Sequence, residues 1–403
     1  MKAWLRVKSN GGSAGIDKRT ILDFEGNLKD NLYRIWNRMS SGSYFPDPVK
    51  LVEIPKNGGK GKRPLGIPSV SDRIAQMVAV LALEPELEPI FHDDSYGYRP
   101  RRSAHDALAQ ARKRCWKYDW VLDMDIKGFY DNIDHCLLNK ALLRHTDSKW
   151  IKLYVNRWLT VPYETKEGKR IERDKGVPQG SVIGPILANL FLHYTFDRWM
   201  AREYPNVPFE RYADDTICHC STREEAERIK KAIVRRFAEC QLELNESKTG
   251  IVYCKDTNRK GDHSHIQFDF LGYTFRPRRA KNLRGEYFLS FLPAISNKAK
   301  KRIGVIMRSW WKTSRTDKTL VELARELNPR LRGWINYYAK FYKTGMYPLL
   351  TRLNQRLIIW VTKKFKRYKG HRRRAKDWLA NVAKAHPNLF AHWKIGLLPL
   401  KID

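Results

Sequence analysis

The chain has 403 residues, with 77 lysines and arginines against 43 aspartates and glutamates, a formal net charge of +34. Such an excess self-repels unless a polyanion offsets it, so nucleic acid is the expected partner. No apolar run reaches the roughly 20 residues of a bilayer span, and the six scattered cysteines form no Cys-x-x-Cys pair. These features argue against a membrane anchor, a disulfide framework or an exported chain, and cytoplasmic residence is expected.

From the N-terminus, Lys8 to Asp17 is a Gly/Ser loop without the Gly-Lys-Ser/Thr ending of a phosphate-cradling loop. The spacing of Ile21, Leu22, Leu28, Leu32, Ile35 and Trp36 predicts a helix from Thr20 to Met39. Val52–Lys56 and the segment through Pro68 read as two strands joined by a basic, Gly-rich turn. Lys56 and Arg63 flank that turn. They either stand in solvent at its tip or grip a triphosphate, a task for which the planar fork of Arg is suited. Ser71 is the expected N-cap of a helix that ends before Pro85. In the loop Ser95–Pro100, Tyr98 offers either a stacking face or a core aromatic, and Arg99 a phosphate contact. Ser103 starts another helix.

Trp120–Ile126 reads as a buried strand with Asp125 near its exit. Pro178 and Gly180 punctuate a turn before an apolar helix through Ile186, Leu187, Leu190 and Phe191. Phe209–Cys218 alternates apolar and polar residues around Asp214 and Asp215, which predicts a hairpin with both carboxylates at its tip. Neighbouring anions repel, and without a zinc box the expected counter-charge is a hard divalent cation on oxygen ligands. Asp125, Asp214 and Asp215 together would supply three carboxylates for two ions about 4 Å apart, a clamp for phosphoryl displacement.

Thr222 begins an amphipathic helix to about Cys240. Lys248 precedes a strand, Gly250–Tyr253, and Phe268–Tyr273 gives a further strand pair in which Gly272 permits close backbone approach. From Leu292 the patterns are helical only. One helix is expected to stop before Pro329 and another to follow from Leu331, and the short connections imply an antiparallel bundle. Basic residues gather there as Arg330, Arg332, Lys363, Lys364, Arg367, Arg372, Arg373 and Arg374, with Tyr and Trp interleaved, a pattern that suits RNA.

Tyr-Ala-Asp-Asp after a strand, preceded by Asp-Ile-Lys-Gly-Phe-Tyr-Asp, resembles the palm of a reverse transcriptase, in the form found in bacterial group II intron reverse transcriptases, or maturases. The motifs keep the family's order over nearly the whole chain. The resemblance implies a right-hand polymerase, with α/β (α+β) fingers and palm followed by an all-α helical-bundle thumb. Its expected divisions are a finger extension over 1–50, fingers and palm over 51–290, and a helical thumb, or maturase RNA-binding domain, over 291–403.

The same resemblance implies RNA-directed DNA synthesis with two Mg²⁺ ions on Asp125, Asp214 and Asp215. Lys56, Arg63, Tyr130, Gln179, Gly180 and Lys248 would meet the deoxynucleoside triphosphate, the Tyr130 ring excluding a 2′-hydroxyl. Tyr98 and Arg99 would lie against the template. The implied partners are template RNA, intron RNA and a DNA primer or target, with no membrane. Asn328–Tyr338 resembles the family's maturase domain. No nuclease module follows, so target cleavage by this chain is not expected. Two other readings stay open: an RNA-binding splicing cofactor that does not polymerise, and a host-adopted reverse transcriptase in repair or defence.

Overall fold

A computed structural model describes residues 1–55 and 61–399. Lys56, one of the two expected triphosphate ligands, lies outside the described residues. The chain forms two compact units, one of 1–107 with 120–251 and the other of 108–119 with 252–403.

The first unit holds the strands β1 (Val49–Pro55), β2 (Lys62–Ile67), β3 (Trp120–Met124), β4 (Tyr163–Glu164), β5 (Arg170–Ile171), β6 (Phe209–Tyr212), β7 (Asp215–Cys220) and the start of β8 (Gly250–Tyr253). One sheet has the order β2-β1-β4-β5 and contains the expected β1–β2 hairpin. The other has the order β6-β7-β3-β8. β3 occupies an interior place because Val121 and Leu122, which point to opposite faces, are both fully buried. Helix Arg223–Glu239 is capped by the Thr222 side chain, which accepts from Glu225 N. Its Ala226, Ile229, Ile233 and Phe237 are buried, as the periodicity requires.

Three helix boundaries differ from expectation. The N-terminal pattern is two helices, Ile21–Gly26 and Leu28–Ser40, separated by Asn27 at φ −132° and ψ 53°. The next helix starts at Val70, because Ser69 rather than Ser71 supplies the capping oxygen to Asp72 N. It also passes through Pro85 to Leu87. The hydrogen bond that proline forgoes is outweighed by burial of Leu83 and Leu87 on either side.

In the second unit, β9 (Phe268–Phe270), β10 (Tyr273–Lys281) and β11 (Tyr287–Ile295) form a sheet of order β11-β10-β9. β10 and β11 pair over nine residues each, so strand structure persists past Leu292 to Ile295. Leu271 and Gly272 link β9 to β10 at φ +50° and +79°. Tyr337 Oη donates to Leu271 O at 2.9 Å, and Tyr273 Oη donates to Tyr337 O, fastening this turn to a helix.

Helices follow at Asn297–Ser309, Leu320–Tyr338, Tyr347–Lys364, Arg372–Ala385 and Ala391–Lys394. Leu320–Tyr338 is one helix, not two, with Pro329 inside it. A capping box at Thr319 and Glu322 starts it, and Leu323, Leu327, Leu331 and Ile335 continue one buried stripe across the proline. No helix among the described residues is long and apolar enough to cross a membrane.

Two helix asparagines fasten the last segment of the second unit. Asn328 Nδ2 donates to Leu389 O at 2.8 Å, and its Oδ1 accepts from Ala391 N at 2.8 Å. Asn354 Oδ1 accepts from His392 Nε2 at 2.7 Å and from Trp393 Nε1 at 3.0 Å. His392 is completely buried, and burial lowers its pKa to about 3. The unfolded chain therefore binds one more proton than the folded chain once the pH falls below the ordinary histidine value of about 6.5. The stability associated with neutral His392 is fully present above that value and is lost on descent toward about 3. Urea unfolding at successive pH values should show this loss, with a slope of up to about 1.4 kcal/mol per pH unit from one proton. His392→Gln should flatten that contribution.

Candidate active site

The β6–β7 hairpin carries the doubled aspartate. Tyr212 pairs with Asp215, so Ala213 and Asp214 form a two-residue connection, with Ala213 at φ +57°. A two-residue hairpin demands positive φ, and alanine adopts it there under restraint.

That restraint comes from Arg211, completely buried beside equally buried Asp197. Its Nε donates to Asp197 Oδ1 at 2.6 Å and one terminal nitrogen to Asp197 Oδ2 at 2.5 Å. The other terminal nitrogen donates to Asn189 Oδ1 at 2.9 Å and to Ala213 O at 3.1 Å. Asn189 Nδ2 in turn donates to Gly97 O at 2.7 Å. Gly97 lies so close that a Cβ there would strike the backbone nitrogen of Ala213. Sequence reading missed this brace. Its signal was an arginine at an inward position of an alternating strand, two residues before the tip.

Asp125 follows β3. Met124, the last paired residue of β3, faces Thr216, so Asp125 leaves the strand beside the end of β7 that begins at Asp215. Asp125 Oδ2 accepts from Lys248 Nζ at 2.9 Å. Burial pushes the Asp214 carboxyl above its usual range; Asp125 pushes the same way, while Arg63 and Arg211 oppose. Asp125, Asp214 and Arg63 thus share one electrostatic neighbourhood.

Tyr130 belongs to it too. Burial chiefly raises its phenol pKa, with Tyr98 and Asp214 adding and Arg63 and Arg211 opposing. Tyr130 O accepts from Val177 N at 2.7 Å, which ties its helical turn to the segment before Gln179. Gln179 Nε2 reaches both Asp131 oxygens at 3.3 Å, and Gln179 O accepts from Gly66 N at 2.7 Å. A Cβ on Gly180 would lie 2.5 Å from Gly66 O, so only glycine permits β2 and this turn to touch. Arg63, exposed on β2, Gln179 and Gly180 therefore border the same site as Tyr130. Tyr98 is 61% exposed, its ring centroid 6.4 Å from that of Tyr212, and it is free to stack.

Two expected contacts require correction. Arg99 is buried: it is bound to Glu88 at 2.8 Å and donates to His92 O at 2.6 Å and Ser95 O at 2.7 Å. It braces its loop and has no phosphate-facing donor to spare. In the second unit, Lys364 Nζ donates to Thr316 O at 2.8 Å and to Lys318 O at 2.7 Å, so its ammonium is engaged. Arg330, Arg332, Lys363, Arg367, Arg372, Arg373 and Arg374 are exposed. A 450 Å³ groove nearby is lined by Arg308, Arg352, Arg356 and Arg372.

Among the described residues, no three His, Cys, Asp or Glu side chains form a ready-made cation cage. The donors nearest to one are carboxylate oxygens, which suit a hard divalent ion. Asp125 is compensated by Lys248 at Oδ2 only, and that pair lies at the surface.

Comparison with known proteins gives two family matches. Residues 54–275 match the model described as reverse transcriptase (RNA-dependent DNA polymerase), and 299–378 match the group II intron, maturase-specific domain. The group II intron-encoded protein LtrA of Lactococcus lactis subsp. cremoris is 31% identical over 61% of this chain and 41% of its own length. The chain thus spans about four tenths of that relative. Protein YkfC of Escherichia coli (strain K12) is 29% identical over 69% of this chain and 80% of the relative. A solved telomerase from Candida albicans, in complex with a fragment of telomeric RNA, aligns with TM-score 0.48 and 10% identity over 94% of this chain and 68% of the other.

Removing one partner of the buried brace leaves a stranded charge, at a cost of about 3–5 kcal/mol. Asp197→Asn should therefore lower the urea midpoint of the first unit by a corresponding amount, and Arg211→Met should do the same.

Proposed function

This chain belongs to the reverse transcriptases and carries a group II intron maturase-specific domain, and on that premise we propose that it copies RNA into DNA and also holds intron RNA during splicing and retromobility. The observation that carries the reading is the braced Ala213–Asp214 turn, with Asp125 at the exit of β3 close enough to raise the Asp214 carboxyl. Asp125, Asp214 and Asp215 would hold divalent metal, two Mg²⁺ ions. Such ions lower the pKa of an attacking hydroxyl and stabilise charge on the leaving oxygen.

The chain's own residues bind and orient the nucleotide. Arg63 meets the triphosphate of a deoxynucleotide through its guanidinium fork. Gln179 and Gly180 underlie the new base pair. Tyr130 holds its ring against the sugar, and its uncharged phenol keeps that surface neutral at physiological pH. Tyr98 stacks on template. Lys248, beside Asp125, meets phosphate. The primer 3′-oxygen forms a bond to the α-phosphorus as the bond to pyrophosphate breaks and the hydroxyl proton is released.

The division into a finger extension over 1–50, fingers and palm over 51–290 and a helical thumb over 291–403 belongs to this reading. So does residence in the cytoplasm. Support for an RNA-binding thumb comes from helix Arg372–Ala385, whose first turn holds Arg372, Arg373 and Arg374 and no acid. Cations at a helix N-terminus oppose the helix dipole, so folding alone does not favour them, and an external polyanion does.

Primer extension on an RNA template tests the catalytic assignment. Asp214→Asn should reduce extension by about a hundredfold or more, with RNA affinity kept within about two-fold because the basic surfaces are untouched. Retained synthesis would remove the assignment. Tyr130→Ala should lower discrimination against ribonucleotides by about tenfold or more, the scale of a lost steric contact, measured as the ratio of kcat/KM for the two nucleotide types. An unchanged ratio would exclude Tyr130 as the selector.

A further inference from the structure

Helix Gly184–Leu192 does not continue regularly: His193–Asp197 is π-helix before α-helix resumes at Arg198–Glu203. Such widened turns recur at functional sites. Here the turn is fixed from outside. Arg236 donates from Nε to Thr195 O and from a terminal nitrogen to Tyr194 O, both at 3.1 Å. Tyr194 Oη is bonded to His145 Nε2 at 2.6 Å.

Tyr194 and Trp199 wall a cavity of 350 Å³ that has an apolar floor at Phe191. Five cationic side chains join them, no carboxylate does, and Leu137, Ala141, Thr195 and Cys240 complete the lining. The Arg144 and Arg198 guanidiniums lie 5.7 and 5.9 Å from the Tyr194 ring centroid. Arg236 and Arg202 have Glu239 and Glu203 as partners. Lys140, Arg144 and Arg198 form no ion pair among the described residues. The charges facing His145 are Arg144 and Arg198, opposed by Glu86 alone; after burial, the two arginines are what lower its pKa.

Like charges gathered round an apolar, aromatic floor are unfavourable in the chain by itself and favourable around a ligand that is anionic and flat at once. A nucleotide joins those properties: phosphate for the guanidiniums, a base for the rings and guanidinium planes. The cavity sits at the small end of ligand pockets, about 300–1,000 Å³, and admits one nucleotide and no helix. We propose that this pocket is a second RNA-binding site, which captures an unstacked nucleotide from a single-stranded segment of RNA. It shares no residue with the carboxylate site. The proposal rests on the reading that this chain binds RNA.

The test uses the full chain, the double variant Arg144→Glu with Arg198→Glu, and Trp199→Ala. Binding of a fluorescein-labelled RNA hairpin with a single-stranded loop is followed by anisotropy over a salt series. A blunt RNA duplex, a DNA hairpin of the same sequence and extension of oligo(dT) on poly(rA) are the controls. The double variant should lose about tenfold or more in hairpin affinity, with a salt slope shallower by about two. Trp199→Ala should lose about fivefold or more, the scale of one stacked base. Duplex binding and extension should stay within about two-fold of the unmodified chain.

Unchanged hairpin affinity in both variants overturns the pocket. An equal loss on duplex or on DNA overturns the assignment to unstacked RNA. Loss of extension makes the pocket part of the polymerase scaffold and overturns the proposal too. If the unmodified chain binds neither RNA, the RNA reading itself fails, whatever the variants do.

Discussion

A buried guanidinium is tolerated only when its donors meet oxygen, and that requirement organises the first unit. Arg211 meets it with both oxygens of Asp197, the side-chain carbonyl of Asn189 and the backbone carbonyl of Ala213. These partners come from the π-helical segment, the helix before it and the hairpin tip. One side chain therefore fixes where the doubled aspartate stands. A bare two-residue turn with alanine at positive φ would be a poor support for paired anions. The brace makes it a rigid one, with its stabilising contacts behind the turn and the carboxylates in front.

The metal-binding residues of the proposed site are held in a different way. Asp125 is fixed by its backbone, whose carbonyl accepts from Asn245 N at 2.7 Å. Its carboxylate is compensated by a lysine 62% exposed at the side chain. An exposed ion pair of that kind contributes little to stability and opens readily. The contrast suits the proposed roles: a fully buried, multiply bonded pair sets the frame, and a solvent-facing pair would leave Asp125 available.

Much of this was legible in the sequence because it is local. The alternation around Asp214 and Asp215, the strand ending at Asp125 and the glycine at position 180 each point to their structural role within a few residues. What was not legible depends on partners distant in sequence. Arg99 reads as a phosphate contact until Glu88 and two carbonyls are seen to hold it, and Lys364 until Thr316 and Lys318 take its ammonium. Pro85 and Pro329 look like helix ends, yet the buried stripes continue through both. Ser71 reads as the cap until Asp72 N is seen to take its oxygen from Ser69. The π-turn and its ring of cations gave no periodic signal, since a widened turn breaks the period by which helices are read.

Gly97 shows how a residue without chemistry can come under the tightest steric demand among the described glycines. Its carbonyl is held by Asn189, and its missing side chain is what lets the hairpin tip approach. Saturation mutagenesis there would return an almost blank column, much as at an aspartate that binds metal. Tolerance profiles by themselves would then confuse a spacer with a reagent, and only the proximity of Ala213 N tells the two apart.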